Sequence, residues 1–251
     1  MTSEKAAPAT GPADDPFVAR PRRSIWPLVR DVIVILLIAI IVSSLVKAFL
    51  VRSFYIPSGS MESTLQIDDR ILVDELTPRF SGYERGDVVV FRDPGGWLPS
   101  APPEDQPLLV RSVDWLLSLV GISASDSKDH LIKRIIGMPG DHVVCCNALG
   151  QIAVNGVPLD ESAYLRLAQG QAAPAEVPFD VVVPEDGLWV LGDNRDRSQD
   201  SRYHMDQPTQ GFVPLDNVVG RAFLITWPLS RFGTVDFHHD VFAGIPEPAG
   251  P

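Results

Sequence analysis

Ser58-Gly59-Ser60-Met61-Glu62-Ser63-Thr64-Leu65 places two hydroxyls within three positions, in a stretch where Pro57 and Gly59 permit a tight turn. A serine hydroxyl is a weak nucleophile and needs a nearby base to take its proton. The five histidines, His130, His142, His204, His238 and His239, sit in no pattern that points to a Ser-His-Asp triad, and no Gly-x-Ser-x-Gly elbow occurs. Another base stands in Lys133-Arg134-Ile135-Ile136-Gly137-Met138-Pro139-Gly140-Asp141. If Leu131 to Ile136 is a strand, Leu131, Lys133 and Ile135 share one face. An amine set between aliphatic side chains loses hydration, its pKa falls, and its neutral form can accept a proton from Ser60. Each residue also has a bland reading. Gly-Ser loops are common, and an edge-strand lysine often packs its stem while its head reaches water.

A third motif, Gly192-Asp193-Asn194-Arg195-Asp196-Arg197-Ser198-Gln199-Asp200-Ser201-Arg202, alternates acids with arginines. A calcium loop beginning at Asp193 would need Gly at its sixth place and Glu at its twelfth, where Ser198 and His204 stand. Bidentate Asp–Arg pairs that stiffen a loop fit better. Ser198 could then orient the lysine amine by a hydrogen bond. No metal site and no cofactor is expected, since the only cysteines, Cys145 and Cys146, are adjacent and give no tetrahedral spacing. They read either as two small thiols near a turn or as a redox-sensitive vicinal pair.

Elements must bring these motifs together. Residues 1–27 read as a disordered tail rich in Ala, Pro, Thr and Ser, closed by Arg20, Arg22 and Arg23. Residues 28–51 read as a transmembrane anchor: from Val32 to Val51 a helix rises roughly 30 Å, the thickness of a hydrocarbon core. The preceding arginines favour a cytoplasmic amino terminus, so the remainder would face outside. A cleaved leader fits less well, because Leu45-Val46-Lys47-Ala48-Phe49-Leu50 is a poor cleavage site.

Residues 52–240 change to short apolar stretches split by Gly, Pro, Asn and Asp. Strands are expected around Ile71–Val73, Asp87–Phe91, Leu131–Ile136, Val143–Val144, Val181–Val183, Leu188–Leu191 and Ala222–Trp227. Ile152–Leu159 reads as a hairpin with an Asn-Gly turn. The fold class is therefore mostly β: an antiparallel, barrel-like sheet domain behind one N-terminal transmembrane helix. Residues 94–129 look like an insert with a possible helix over 108–122, and 241–251 like a flexible tail.

Formal net charge is −11 and uneven, with 28 acidic against 15 basic residues after Val51. An acidic domain repels phosphate backbones, so nucleic acid is not an expected partner.

The order and content of the three motifs resemble the type I signal peptidases, membrane-bound Ser/Lys endopeptidases. Asp69–Val73 and Arg85–Phe91 resemble that family's strand boxes, so the likeness runs from Arg52 to Trp227 plus the anchor. The resemblance implies that Ser60 is the acylating nucleophile and Lys133 the general base. It implies that Ser58 adds its hydroxyl to the Ser60 N–H in an oxyanion hole, and that Ser198 orients the lysine. Asp193, Arg195, Asp200 and Arg202 match positions that are mainly structural. The implied partners are the lipid bilayer and secretory precursors with small residues at −1 and −3, and the implied place is the cell membrane. Ser60 follows Val51 by nine residues, a reach of no more than roughly 30 Å from the membrane. The alternative is an anchored, non-catalytic β domain that binds extended secretory segments. A sortase would need a reactive Cys with a distant His and Arg, and a self-cleaving Ser/Lys repressor would need a DNA-binding helix pair.

Overall fold

A computed structural model describes residues 26–49, 51–98, 129–167 and 177–248. The chain divides into two compact units, 1–41 and 42–251. The first unit contains most of helix α1, Trp26–Phe49, whose Val32–Val42 stretch is an unbroken run of Leu, Ile, Val and Ala. Its described apolar side chains, including Val32, Ile35, Leu36, Leu37, Ile38 and Ile40, are exposed. Among the described residues no helix is long and apolar enough to cross a membrane.

The second unit is antiparallel β throughout its named sheets. Its strands are β1 (Val51–Tyr55), β2 (Arg70–Asp74), β3 (Val88–Arg92), β4 (His130–Gly137), β5 (His142–Cys145), β6 (Ala153–Val154), β7 (Val157–Pro158), β8 (Phe179–Val182), β9 (Gly187–Leu191), β10 (Val213–Pro214), β11 (Val218–Trp227) and β12 (Gly233–Thr234). A short helix α2, Thr77–Ser81, follows β2. The larger sheet runs β1-β2-β11-β3-β4-β9-β10, with β12 beside β11, and the smaller runs β7-β6-β5-β8. Neither path closes among the described residues, so the barrel-like expectation gives way to two open sheets.

Every expected strand forms, because each is rich in β-branched, aromatic or aliphatic residues that fit a pleated, buried surface. The Asn-Gly hairpin joins β6 to β7, with Asn155 at φ 51° and Gly156 at φ 80°, the left-handed region such a turn requires. β4 lies between β3 and β9, and from Leu131 to Gly137 every residue is buried. Its alternate residues feed different clusters. Ile132 packs with Val88 and Val90, whereas Leu131 and Ile135 pack with Val89 and Phe91. Burial on both faces is what lets one strand carry two shielded cations, Lys133 and Arg134.

One expectation changes further. Val241 to Pro248 is not a loose tail: Phe242 and Ile245 are buried in the cluster of Trp189, Val143 and Ile136. Apolar side chains at these positions bury area that the Pro- and Gly-rich composition around them conceals. The adjacent cysteines are joined as a disulfide at the end of β5. The tail up to residue 25 and the expected helix over 108–122 lie outside the described residues.

Candidate active site

Ser60 sits in a 3₁₀ turn, Gly59–Met61, and is 5% exposed. The turn is held from below by Met61 and Leu65, both fully buried beside Ile56, Ile71 and Val73. A bond from Leu65 N–H to the Met61 carbonyl (2.8 Å) closes the next turn. Lys133 comes from the middle of β4, paired with Val89 of β3. Its Nζ donates to Ser60 Oγ at 2.9 Å and to the Ile132 carbonyl at 2.9 Å. The amine is buried, and burial lowers its pKa to about 8 against the opposing pull of Asp200 and Asp193. A nitrogen that sheds its proton near neutrality, 2.9 Å from a hydroxyl, can act as that hydroxyl's base.

Ser58 is exposed, and its Oγ lies 3.4 Å from Ser60 Oγ. Ser198 is buried close by: a Cβ placed on Gly192 would collide with both Ser198 Oγ and the Ser60 carbonyl. Ser198 makes no hydrogen bond to the lysine amine, whose second partner is instead the Ile132 carbonyl. Its Oγ meets no hydrogen-bond partner of good geometry among the described residues, although it is near enough to Asp200 to help hold that carboxyl low.

The third motif wraps the turn. Asn194 N–H donates to the Ser60 carbonyl (3.0 Å) and Asn194 Nδ2 to the Gly59 carbonyl (3.0 Å). Asp193 receives both arms of Arg134 at 2.9 Å and the Thr64 hydroxyl. Arg134 further donates to the Gly86 and Phe237 carbonyls at 2.8 Å, and its guanidinium lies 4.3 Å from the centre of the Tyr164 ring. Burial works against the charge of Arg134, but Asp193 outweighs it and holds the guanidinium protonated. Arg195 is clamped by both oxygens of Glu161 and donates to the Gly192 carbonyl at 3.0 Å. Arg202 makes a two-armed pair with Asp200 (2.8 and 2.9 Å) and donates to the Arg195 carbonyl. Burial pushes the Asp200 carboxyl up, yet Arg202 and the Gly192 N–H hold it below the usual carboxylate range. Arg134, Arg195 and Arg202 each lie against a buried carboxylate, as shielded charges require, whereas Lys133 meets only a hydroxyl and a carbonyl.

The eight residues singled out from the sequence thus gather around one turn. Sequence reasoning missed Asn194, Arg134, Glu161 and Tyr164. Arg134 and Asn194 were inside the quoted motifs, and their neighbours were the available signal. Glu161 pairs with Arg195 across 34 positions, which no local pattern announces.

A model of the family described as signal peptidase, peptidase S26, matches residues 29–227, a span that contains all three motifs. Signal peptidase I of Mycobacterium tuberculosis (strain ATCC 25618 / H37Rv) is 38% identical over 250 residues, covering 92% of this chain and 84% of that protein. Signal peptidase I of Leptolyngbya laminosa is 31% identical over 231 residues, covering 92% of this chain and 94% of that protein. Likeness that runs through nearly the whole of each chain is more than shared motifs require: this chain belongs to the signal peptidase, peptidase S26, family.

Proposed function

We propose that this chain removes signal peptides from secreted precursors as a membrane-anchored endopeptidase, with Ser60 as nucleophile and Lys133 as general base. The observation that carries the reading is the buried amine 2.9 Å from the Ser60 hydroxyl. When Lys133 is neutral, its lone pair takes the hydroxyl proton along that line while one N–H stays on the Ile132 carbonyl. Ser60 Oγ bonds to the scissile carbonyl carbon, and the carbonyl oxygen becomes an oxyanion facing the Ser60 N–H and the Ser58 hydroxyl. The intermediate collapses, the C–N bond breaks, and the ammonium of Lys133 returns the proton to the leaving amine. Water then attacks the acyl-serine with Lys133 again as base, releasing the signal peptide carboxylate and restoring Ser60. Ser198, Asp193, Arg195, Asp200 and Arg202 support the dyad rather than touching substrate.

The largely apolar run that begins at Val32 in helix α1 and continues in the sequence to Val51 supports the anchor reading, since about 20 such residues match a hydrocarbon core of roughly 30 Å. Its exposed apolar side chains suit lipid, and Arg20, Arg22 and Arg23 before it favour a cytoplasmic amino terminus. The precursor arrives with its own apolar segment in the bilayer and its cleavage site in extended form. Small pockets would admit small side chains at −1 and −3 and exclude larger ones.

Ser60→Ala and Lys133→Ala are each expected to abolish processing of a precursor while the fold survives, with the cut site read by mass spectrometry. Processing retained by either purified variant would remove that residue from its role. A serine-directed acylating probe separates this reading from a non-catalytic binding domain, which would leave Ser60 unlabelled.

A further inference from the structure

Glu62 stands two residues after Ser60, and its side chain folds back over the turn. A Cβ placed on Gly59 would lie 3.0 Å from both Cδ and Oε1 of Glu62, so the carboxylate occupies the space that glycine leaves open. Glu62 Oε2 accepts from Asn194 Nδ2 at 3.2 Å and pairs with Arg166 Nη1 at 3.3 Å. The same Nδ2 donates to the Gly59 carbonyl at 3.0 Å, and the Asn194 N–H donates to the Ser60 carbonyl. A primary amide nitrogen carries two hydrogens. Here one goes to the backbone of the turn and the other to Glu62, which fixes the plane of the amide. With Glu62 removed, one hydrogen loses its acceptor and the amide is free to turn away from Gly59. The turn would then lose one of the two Asn194 contacts that hold Ser60 over Lys133.

We infer that Glu62 is a positioning residue that holds the Ser60 turn in register through the side-chain amide of Asn194. The inference rests on the endopeptidase reading above. The Glu62–Arg166 pair is the lesser part, because the Arg166 side chain is 51% exposed and an exposed ion pair contributes little. The chain around Arg166 tracks the same loop regardless, since its N–H donates to the Asp193 carbonyl at 2.9 Å. Reach to Asn194, rather than charge, is therefore the property that matters at position 62.

The test uses the full chain in detergent with a precursor substrate, comparing wild type with Glu62→Ala, Glu62→Gln, Glu62→Asp, Arg166→Ala and Lys133→Ala. Misplacing a nucleophile by a fraction of an ångström is expected to lower kcat about tenfold in Glu62→Ala, with KM within about twofold. Labelling of Ser60 by an acylating probe should slow by the same factor. Glu62→Gln keeps both reach and an acceptor oxygen and should recover to within about twofold of wild type, as should Arg166→Ala. Glu62→Asp keeps the charge but not the reach and should stay impaired, which tests the inference even if Glu62→Ala does not fold. The pH midpoint of the rate should not move in any Glu62 variant, because none touches Lys133. Wild-type kcat in Glu62→Asp, a Glu62→Gln as impaired as Glu62→Asp, or a loss confined to KM would overturn the positioning role alone. A wild type that does not cleave, or a Lys133→Ala that does, would overturn the endopeptidase reading and this inference with it.

Discussion

The Lys133 amine titrates at about 8, whereas an exposed lysine holds its proton to roughly 10.4. The sign of two consequences follows. For catalysis the neutral form is the base, so kcat/KM should rise about tenfold per pH unit below 8 and level off above it. A rate flat from pH 6 to 9 would exclude Lys133 as the titrating base. For stability the unfolded chain binds this proton more tightly than the folded one. Below about 8 both states are protonated, and the folded state carries the full penalty of a buried charge. Between about 8 and 10 only the unfolded state keeps the proton, so this residue's contribution makes the fold more stable as pH rises. Lys133→Met should therefore abolish cleavage and yet stabilise the fold near pH 7, by up to about 3 kcal/mol. Denaturant titrations of both proteins at pH 7 and pH 9.5 would check it, with the gap narrowing at the higher pH. A Met variant less stable than wild type at pH 7 would mean that the amine's bonds to Ser60 and Ile132 outweigh its desolvation.

Strand β4 holds two cations back to back, and their fates differ because their partners differ. Lys133 faces a hydroxyl and a carbonyl, whereas Arg134 faces the carboxylate of Asp193. Arg134→Leu leaves Asp193 buried and short of its ion-pair partner, and should lower stability by about 3–5 kcal/mol in a denaturant titration. Asp193→Asn with Arg134→Leu should recover part of that loss, since the uncompensated charge is gone. The junction between β9 and the third motif is tighter still. A Cβ on Gly192 would lie 2.5 Å from the Ser60 carbonyl and 2.5 Å from Ser198 Cβ, and the carbonyl cannot yield without moving the Ser60 turn. Gly192→Ala is expected to lower stability by about 1–3 kcal/mol and kcat by a factor on the order of a hundred, measured on folded protein. Normal kcat there would mean that the turn does not need its present register. These contacts mark the limit of what the chain reveals on its own. The strands around Val88–Phe91 and Leu131–Ile136 are legible because β-branched runs have few other places to go. β1 is not, because Val51 continues the composition of the apolar helix before it, and β10 and β12 are each two residues long. Ser60 and Lys133 are legible as chemical types at telling positions. The Arg134–Asp193 and Arg195–Glu161 pairs are not, since they close across 59 and 34 positions and depend on the completed sheet.

At the scale of the whole chain, the proposed anchor changes the kinetics rather than the chemistry. A soluble enzyme meets its substrate at a rate set by bulk concentration. Two proteins held in one bilayer meet at a rate set by surface density, because the membrane replaces volume with area and supplies a high effective concentration. Helix α1, with its exposed apolar side chains, and the nine positions from Val51 to Ser60 make this chain a candidate for the second regime. The two regimes separate in one experiment. The full chain and a precursor are reconstituted into the same vesicles, and the suspension is diluted tenfold in buffer. Confined partners keep their surface density, so the fractional rate of cleavage should not change. Fusing the same vesicles with tenfold more empty lipid should slow cleavage in proportion, at constant bulk concentration. A short soluble peptide cut by the same vesicles should show the reverse pattern, sensitive to buffer volume and indifferent to added lipid. Cleavage of the reconstituted precursor that slows on buffer dilution would mean that the reacting pair forms in solution, and α1 would then need a role other than holding enzyme and substrate in one plane.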